Sequence, residues 1–306
     1  MAVPHTLDAG SAIVAALRAI AEELDALEPA ALADEPDAVH QLRTRVRRLR
    51  SILAAFGPLF DPSVAERIRR RYREFGSELG TVRDIEVRVH VAERALDEAP
   101  DDSAPDMLAA VRSRLVDAEL EAHRLAHARF AARQRMSRAA ARRRMLADFL
   151  DTPPLSPRAA GRADEVLGAL LEQEAKRTVG RADRLGSPSD ADSDIEALHA
   201  VRKAGRRLRY AAEAVTREPL ALFDERAAAL AEAGEDLHDV LGDHRDEVLF
   251  AEHVRRSAAH AAHRGEPVAL LGLLADSADR RATERLHGLG HVRAKLRRAA
   301  KEWASR

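Results

Sequence analysis

The chain contains no cysteine, which excludes disulfides and thiolate zinc sites. Aromatic residues make up only 3% of its 306 residues, with one Trp and two Tyr. So few aromatics argue against a β-sandwich, and they leave little to stack on nucleobases. No apolar run approaches the ~20 residues that a membrane-spanning helix needs. The first ten residues, Met1 to Gly10, lack a basic region followed by an apolar core, so a secretory signal is not expected and the cytoplasm is the expected compartment. Net charge is nearly absent too: Lys and Arg number 50 against 51 Asp and Glu. Overall charge therefore points to no partner.

Ala, Leu, Arg and Glu dominate what is present, a composition that suits helices. Asp8 to Leu27 carries Ile13, Leu17, Ile20, Leu24 and Leu27 at spacings of three and four, the period of an amphipathic helix. Pro29 is expected to end it. A second helix is expected from Pro36 or Asp37 to about Phe56, stopping at Gly57-Pro58. Pro62 opens a third, running past Gly80 toward Leu96. Residues 99–105 read as a loop, and one long helix is expected from Asp106 to about Leu150. Asp151 to Pro157, with three prolines, is the expected linker between halves. Beyond it the pattern predicts helices at about 158–184, 193–217 and 224–263, a loop at 186–190 and a last helix ending near Trp303. The expected architecture is all-α: two four-helix bundles, residues 1–150 and 158–306, joined by 151–157.

The charge is unevenly distributed. Acids make up one residue in six, yet four long windows contain none. Ala38 to Phe60 holds five Arg, and Ala197 to Ala212 holds four Arg and Lys203. Ala122 to Ala147 holds eight Arg and two His, and Arg285 to Lys301 is again cationic.

Two of these windows repeat one another. His40, Arg43, Arg47, Arg48, Leu49 and Arg50 recur at a fixed offset as His199, Arg202, Arg206, Arg207, Leu208 and Arg209. A repeat at half the chain length implies an internal duplication. On a helix, His40, Arg43, Arg47 and Arg50 fall within an arc of roughly 80°. Val39, Leu42, Val46, Leu49 and Leu53 form a separate apolar stripe. The second copy sets His199, Arg202, Arg206 and Arg209 on one ridge, broadened by Lys203, beside Leu198, Val201 and Leu208. Like charges at this spacing repel by a few tenths of a kcal/mol, about 0.2–0.5 per pair. With no acid inside the segment, the ridge calls for an outside partner: an extended polyanion fits, and a solvated face or pairing with Glu and Asp of neighbouring helices is the alternative. Guanidinium forks onto phosphate oxygens, and a protonated histidine donates from both ring nitrogens.

A second repeat accompanies the first. Leu79-Gly80-Thr81-Val82-Arg83-Asp84 matches Leu241-Gly242-Asp243-His244-Arg245-Asp246. Glycine inside a helix costs about 1 kcal/mol, so its recurrence implies a kink or a close approach. Arg83 and Arg245 are candidate ligand contacts, and the aspartates read as structural.

The two motifs together resemble the CHAD family, histidine-containing α-helical domains that bind inorganic polyphosphate. The family pattern, His-x-x-Arg-x-x-x-Arg-Arg-x-Arg followed by Leu-Gly-x-x-Arg-Asp, occurs twice here in the right order. The resemblance implies two pseudo-symmetric four-helix bundles around a basic central groove or pore, and association with polyphosphate granules. It implies that His40, Arg43, Arg47, Arg50, His199, Arg202, Arg206 and Arg209 contact the anion. Arg48, Arg207 and Lys203 are candidates beside them. Arg129, Arg133, Arg138, His291, Arg293 and Arg297, from the other basic windows, form a second tier. The copies differ: Ala204-Gly205 stands where the first has Arg45-Val46. Some relatives carry a triphosphate-tunnel domain marked by a Glu-x-Glu-x-Lys strand. That motif is absent, so its hydrolase activity is not carried over.

Other classes fare less well. Glu196/His199, Glu235/His238 and Glu284/His287 have the spacing of di-metal helical bundles. Arginines around His199 would repel a cation, so no metal or other cofactor is expected. No Gly-x-Ser-x-Gly elbow or Gly-rich phosphate loop is present. The expectation is a non-enzymatic module for polyphosphate. Other polyanions, nucleic acid or an acidic protein are the alternatives, and no membrane partner is expected.

Overall fold

The computed structural model describes residues 7–99, 104–185 and 195–305. The described residues form an α-helical protein. Its helices are α1 (Ala9–Leu32), α2 (Ala38–Ala55), α3 (Pro62–Asp97), α4 (Pro105–Arg112), α5 (Ala118–Gln134), α6 (Ser137–Asp151), α7 (Ala163–Ala182), α8 (Ile195–Thr216), α9 (Glu225–His263), α10 (Ala269–Leu286) and α11 (Leu289–Ala304). The loops expected at 99–105 and 186–190 fall at positions 100–103 and 186–190 outside the described residues.

Helix starts follow local chemistry. Asp8 caps α1 by accepting from Ser11 N at 2.8 Å. Asp61 accepts from the amides of Ser63 and Val64 at 2.9 and 3.0 Å, and Pro62 takes the first-turn position where no amide is needed. Asp224 caps α9.

Three expectations are corrected. Pro29 does not end α1, which continues to Leu32. Pro29 and Asp25 are both exposed, so the carbonyl left without its amide donor stays accessible to water. The long helix expected over 106–150 is interrupted twice. A π segment, Ser113–Asp117, joins α4 to α5, and an extended Met136 separates α5 from α6. The second break lets α6 fold back, so that Phe149 reaches Phe60 at 5.1 Å between ring centroids. There Arg142 donates to Gln134 Oε1 at 2.9 Å, with its guanidinium 3.6 Å above the Phe75 ring. The final helix is likewise divided, into α10 and α11 at His287-Gly288.

The apolar stripes are buried as the spacing predicts. Val39, Leu42, Val46, Leu49 and Leu53 are 1% exposed or less, and a fully buried Leu or Val contributes about 1.5–3 kcal/mol. Two cores result. The larger gathers α1, α2, α6, α7, α8, α11 and the N-terminal halves of α3 and α9. The smaller joins Ile85 to Ala95 of α3 and Val111 to Val116 with Phe250 to Ala261 of α9 and Leu270 to Ala278 of α10. Each core draws on residues before and after the 151–157 segment. That segment is itself tied down. Asp61 N donates to Pro154 O at 2.8 Å and Ser156 N to Leu59 O at 2.9 Å. Just beyond it, Ala9 N donates to Gly161 O at 2.9 Å.

α8 and α9 approach each other through glycine. A Cβ added at Gly234 would lie 2.7 Å from Gly205 O and 2.8 Å from Arg209 N, both backbone atoms. The Ala204-Gly205 difference between the two motif copies thus serves packing. Gly234→Ala is expected to cost about 1–3 kcal/mol through overpacking, read as a lowered midpoint in thermal or urea unfolding.

Candidate anion-binding cavity

Because the leucine stripes of α2 and α8 face the core, their cationic ridges are forced onto the remaining side, where they meet. The charges acting most strongly on Arg47 are those of Arg43, Arg206 and Arg202. Arg206 in turn feels Arg202, Arg50 and Arg43. The two ridges therefore lie alongside one another as a ladder of guanidinium groups.

The repeated glycines make room for it. A Cβ at Gly80 would sit 3.3 Å from Nη2 of Arg43, and one at Gly242 would sit 3.1 Å from Nη2 of Arg202. Each guanidinium lies in a recess on the neighbouring helix. The aspartate one turn later supplies charge. Arg43 Nη1 donates to Asp84 Oδ1 at 3.2 Å, and Asp246 is the foremost acid acting on Arg202.

The inner rung, Arg47 and Arg206, has no acid so near: among the described residues neither has a carboxylate within ion-pairing distance, nor does Arg202. Burial first, and neighbouring arginines second, push Arg47 down to about 9 and Arg206 to about 10. Both remain charged at neutral pH. Nε of Arg50, Arg202 and Arg206 is buried without a hydrogen-bond partner. Tightly grouped, desolvated guanidinium groups with unused donors are an arrangement that an anion relieves.

The histidines are held in the neutral form. Burial, then Arg83, lowers His40; burial, then Lys203 and Arg245, lowers His199. His238 of α9 is buried against Arg202, Arg206, Arg47 and Arg209 and is pushed down to about 2. All three are neutral at pH 7, so each donates one hydrogen bond rather than two.

A cavity of about 420 Å³ opens along the ladder. It is lined by His40, Arg43, Arg47, Arg83, Arg88, Arg202, His238, Arg245 and Arg256, and by Asp84, Asp239, Asp243 and Asp246. A second space of about 450 Å³ shares Arg83, Asp243 and Asp246 and extends to His90, Arg94 and Arg285. The acid-free segments thus face acids supplied by α3 and α9. Burial raises the pKa of Asp239 and of Asp246.

Other candidates lie elsewhere. Arg48 is 4.0 Å from Glu23, and Arg207 Nε donates to the buried Glu174, so both brace neighbouring helices. Arg209 pairs with Glu213 and Glu235, each at 2.9 Å. Arg50 lies toward Arg69 and Arg73, and Lys203 is exposed. His199 lines an adjacent, more apolar space with Ile195 and Leu249. Arg133, Arg138 and Arg297 pair with Glu78, Glu74 and Asp183 at 3.9, 2.5 and 2.6 Å. Arg129 and His291 are exposed and Arg293 is half-buried, none of them in the cavity wall. Arg88, Arg256 and His238 were not legible as cavity residues, because they lie outside both repeated motifs. Among the described residues, no group of three His, Asp or Glu is placed to hold a metal ion.

Two outcomes follow from the crowding. Arg47→Met with Arg206→Met is expected to raise stability in anion-free, low-salt buffer by on the order of 1–2 kcal/mol, measured by urea unfolding. His238 has its folded-state pKa below its unfolded value. The unfolded chain therefore takes up the proton first, and stability falls as pH drops below 6.5. His238→Asn should flatten stability against pH between 6.5 and 5, by up to about 1.4 kcal/mol per pH unit.

Comparison with known proteins gives this geometry its context. The CHAD domain family profile matches residues 15–255. Two proteins of Mycobacterium tuberculosis, from strains CDC 1551 / Oshkosh and H37Rv, are each 32% identical over 278 residues. The alignment covers 86% of this chain and 50% of theirs, so the chain spans about half the length of the curated relatives it matches. The fold is similar to that of PptA from Streptomyces chartreusis, with a TM-score of 0.74 and 23% identity, covering 93% of this chain and 99% of that one. It is also similar to the crystal structure of the CHAD domain from the plant Ricinus communis, with a TM-score of 0.73 and 20% identity, covering 97% and 94%. With a family match over most of its length and both repeated motifs in place, the chain belongs to the CHAD domain family.

Proposed function

We propose that this protein binds inorganic polyphosphate, without turnover, along the arginine ladder between α2 and α8. The observation that carries the reading is the inner rung: Arg47 and Arg206, side by side, with no carboxylate partner among the described residues. Phosphate oxygens accept from guanidinium in pairs. A chain with one charge on each small unit matches a row of guanidinium groups. The ligand-contacting set of this proposal is His40, Arg43, Arg47, Arg202 and His238, with Arg83 and Arg245 in the same wall; Arg206, expected from the sequence to contact the anion, is not in the cavity wall and acts on the site through its charge. The two motif copies represent a duplication, so that both halves, joined through 151–157, build one basic groove. Attachment to polyphosphate granules in the cytoplasm is the setting that fits.

The cavity wall offers no hydroxyl, thiol or amine nucleophile, which supports binding rather than cleavage. Nucleic acid is the second reading, because any phosphate chain attracts such a ladder. Aromatic residues to stack bases are few, however, and Phe250 is the single one in the cavity wall.

A competition at fixed ionic strength tests this. Labelled long-chain polyphosphate is displaced by unlabelled polyphosphate or by single-stranded DNA at matched phosphate concentration. Polyphosphate is expected to displace far better; equal displacement would make the ladder a generic polyanion surface. Arg43, Arg47, Arg202 and Arg206, all changed to Glu, should abolish binding while helicity by circular dichroism persists. Unchanged binding would sink the ridge assignment.

A further inference from the structure

The rungs of the ladder are not equivalent, and the difference bears on which phosphates bind. Among the described residues Arg47, Arg206 and Arg202 have no carboxylate within ion-pairing distance, whereas Arg43 is already hydrogen-bonded to Asp84 at 3.2 Å. Arg202 lies under the influence of Asp246, the same position of the second motif copy. Asp84 and Asp246 line one cavity and act on each other's charge. Gly80 and Gly242 fix the two outer guanidinium groups one helical turn before these aspartates.

We propose that Asp84 and Asp246 are built-in competitors for the outer rung that set a minimum length for the phosphate chain. This deepens the polyphosphate reading and rests on it. A short oligophosphate settles on the inner rung and meets repulsion from both aspartates as it extends. To engage Arg43 it must exchange with the Asp84 carboxylate already in place, and beside Arg202 it meets the charge of Asp246 in the same wall. That exchange replaces one anion by another, so each step gains little. A long chain makes many contacts beyond the exchange and converts each further one into an intramolecular event. Asp84 is half-exposed, with 50% of its side chain accessible, so its carboxylate can return to water when displaced. The motif aspartates, read from sequence as structural, thereby become determinants of specificity.

The test is calorimetric titration, at one ionic strength, of wild type and of Asp84→Asn with Asp246→Asn. The ligands are tripolyphosphate and long-chain polyphosphate. The double variant is expected to bind tripolyphosphate about tenfold more tightly and long-chain polyphosphate with a smaller gain, so the affinity ratio narrows. An unchanged ratio, or equal weakening toward both ligands, overturns the proposal, because it would mean that the aspartates merely hold the arginines in place. Asp276→Asn with Asp279→Asn on α10 makes the same charge change outside the cavity. A matching shift there would reduce the effect to net charge and overturn it too. If the double variant loses helicity, Asp84→Asn alone decides, with the same expected sign. A wild type that binds neither ligand overturns the polyphosphate reading and this inference together. A wild type that binds long chains with the ratio unmoved in the variant overturns this inference alone.

Discussion

Everything in the cavity depends on one constraint: like charges held together in a space partly withdrawn from water. Guanidinium groups do not gather by choice, and Arg47 between Arg43, Arg202 and Arg206 is an unfavourable arrangement. It persists because the opposite side of each helix is buried. Val39, Leu42, Val46, Leu49 and Leu53 on α2, with Leu198, Val201 and Leu208 on α8, leave the ridges one direction to point. Hydrophobic burial is non-directional in origin, but on a helix it fixes rotation about the axis. The core therefore sustains the unfavourable energy of the crowded charges.

Glycine and aspartate complete the device. Gly80 and Gly242 recess the outer arginines, and Asp84 and Asp246 neutralise them in part. The inner rung has no such relief. A graded series results, from the fully paired Arg207 through the partly paired Arg43 to the unpaired Arg47. One helical repeat can thus hold structural arginines on one flank and available ones on the other. His238, kept neutral by burial and then by the same crowd, adds a polar group without adding charge.

Much of this was legible in the sequence. The 3.6-residue period located most of the helices, and of the duplicated ridge His40, Arg43, Arg47 and Arg202 line the cavity while Arg50, His199, Arg206 and Arg209 do not. What escaped was tertiary in origin. Met136 breaks a helix that contains no Pro or Gly, because α6 must turn back for Phe149 to reach Phe60. Pro29 sits inside a helix because it and Asp25, whose carbonyl loses its amide donor, are both on the exposed side. Arg48 and Arg207 repeat as faithfully as Arg47 and Arg206, yet they meet Glu23 and Glu174 from α1 and α7, which no local window contains. Repetition identified the helix face only to within one residue, and long-range carboxylates made the final distinction. His238 lacked any local sign, since its neighbours come from two other helices.

The two cores cut across the order of the chain. Each mixes residues from before position 151 with residues from after 163. A nascent chain emerging from the ribosome cannot close either core when its first half is complete. It carries α2, with its arginines, beside an apolar surface still awaiting α8 and α9. Contacts of such high sequence separation slow folding and prolong the exposure of that surface. During this interval the arginines of α2 stand without the guanidinium groups of α8 that crowd them in the finished fold.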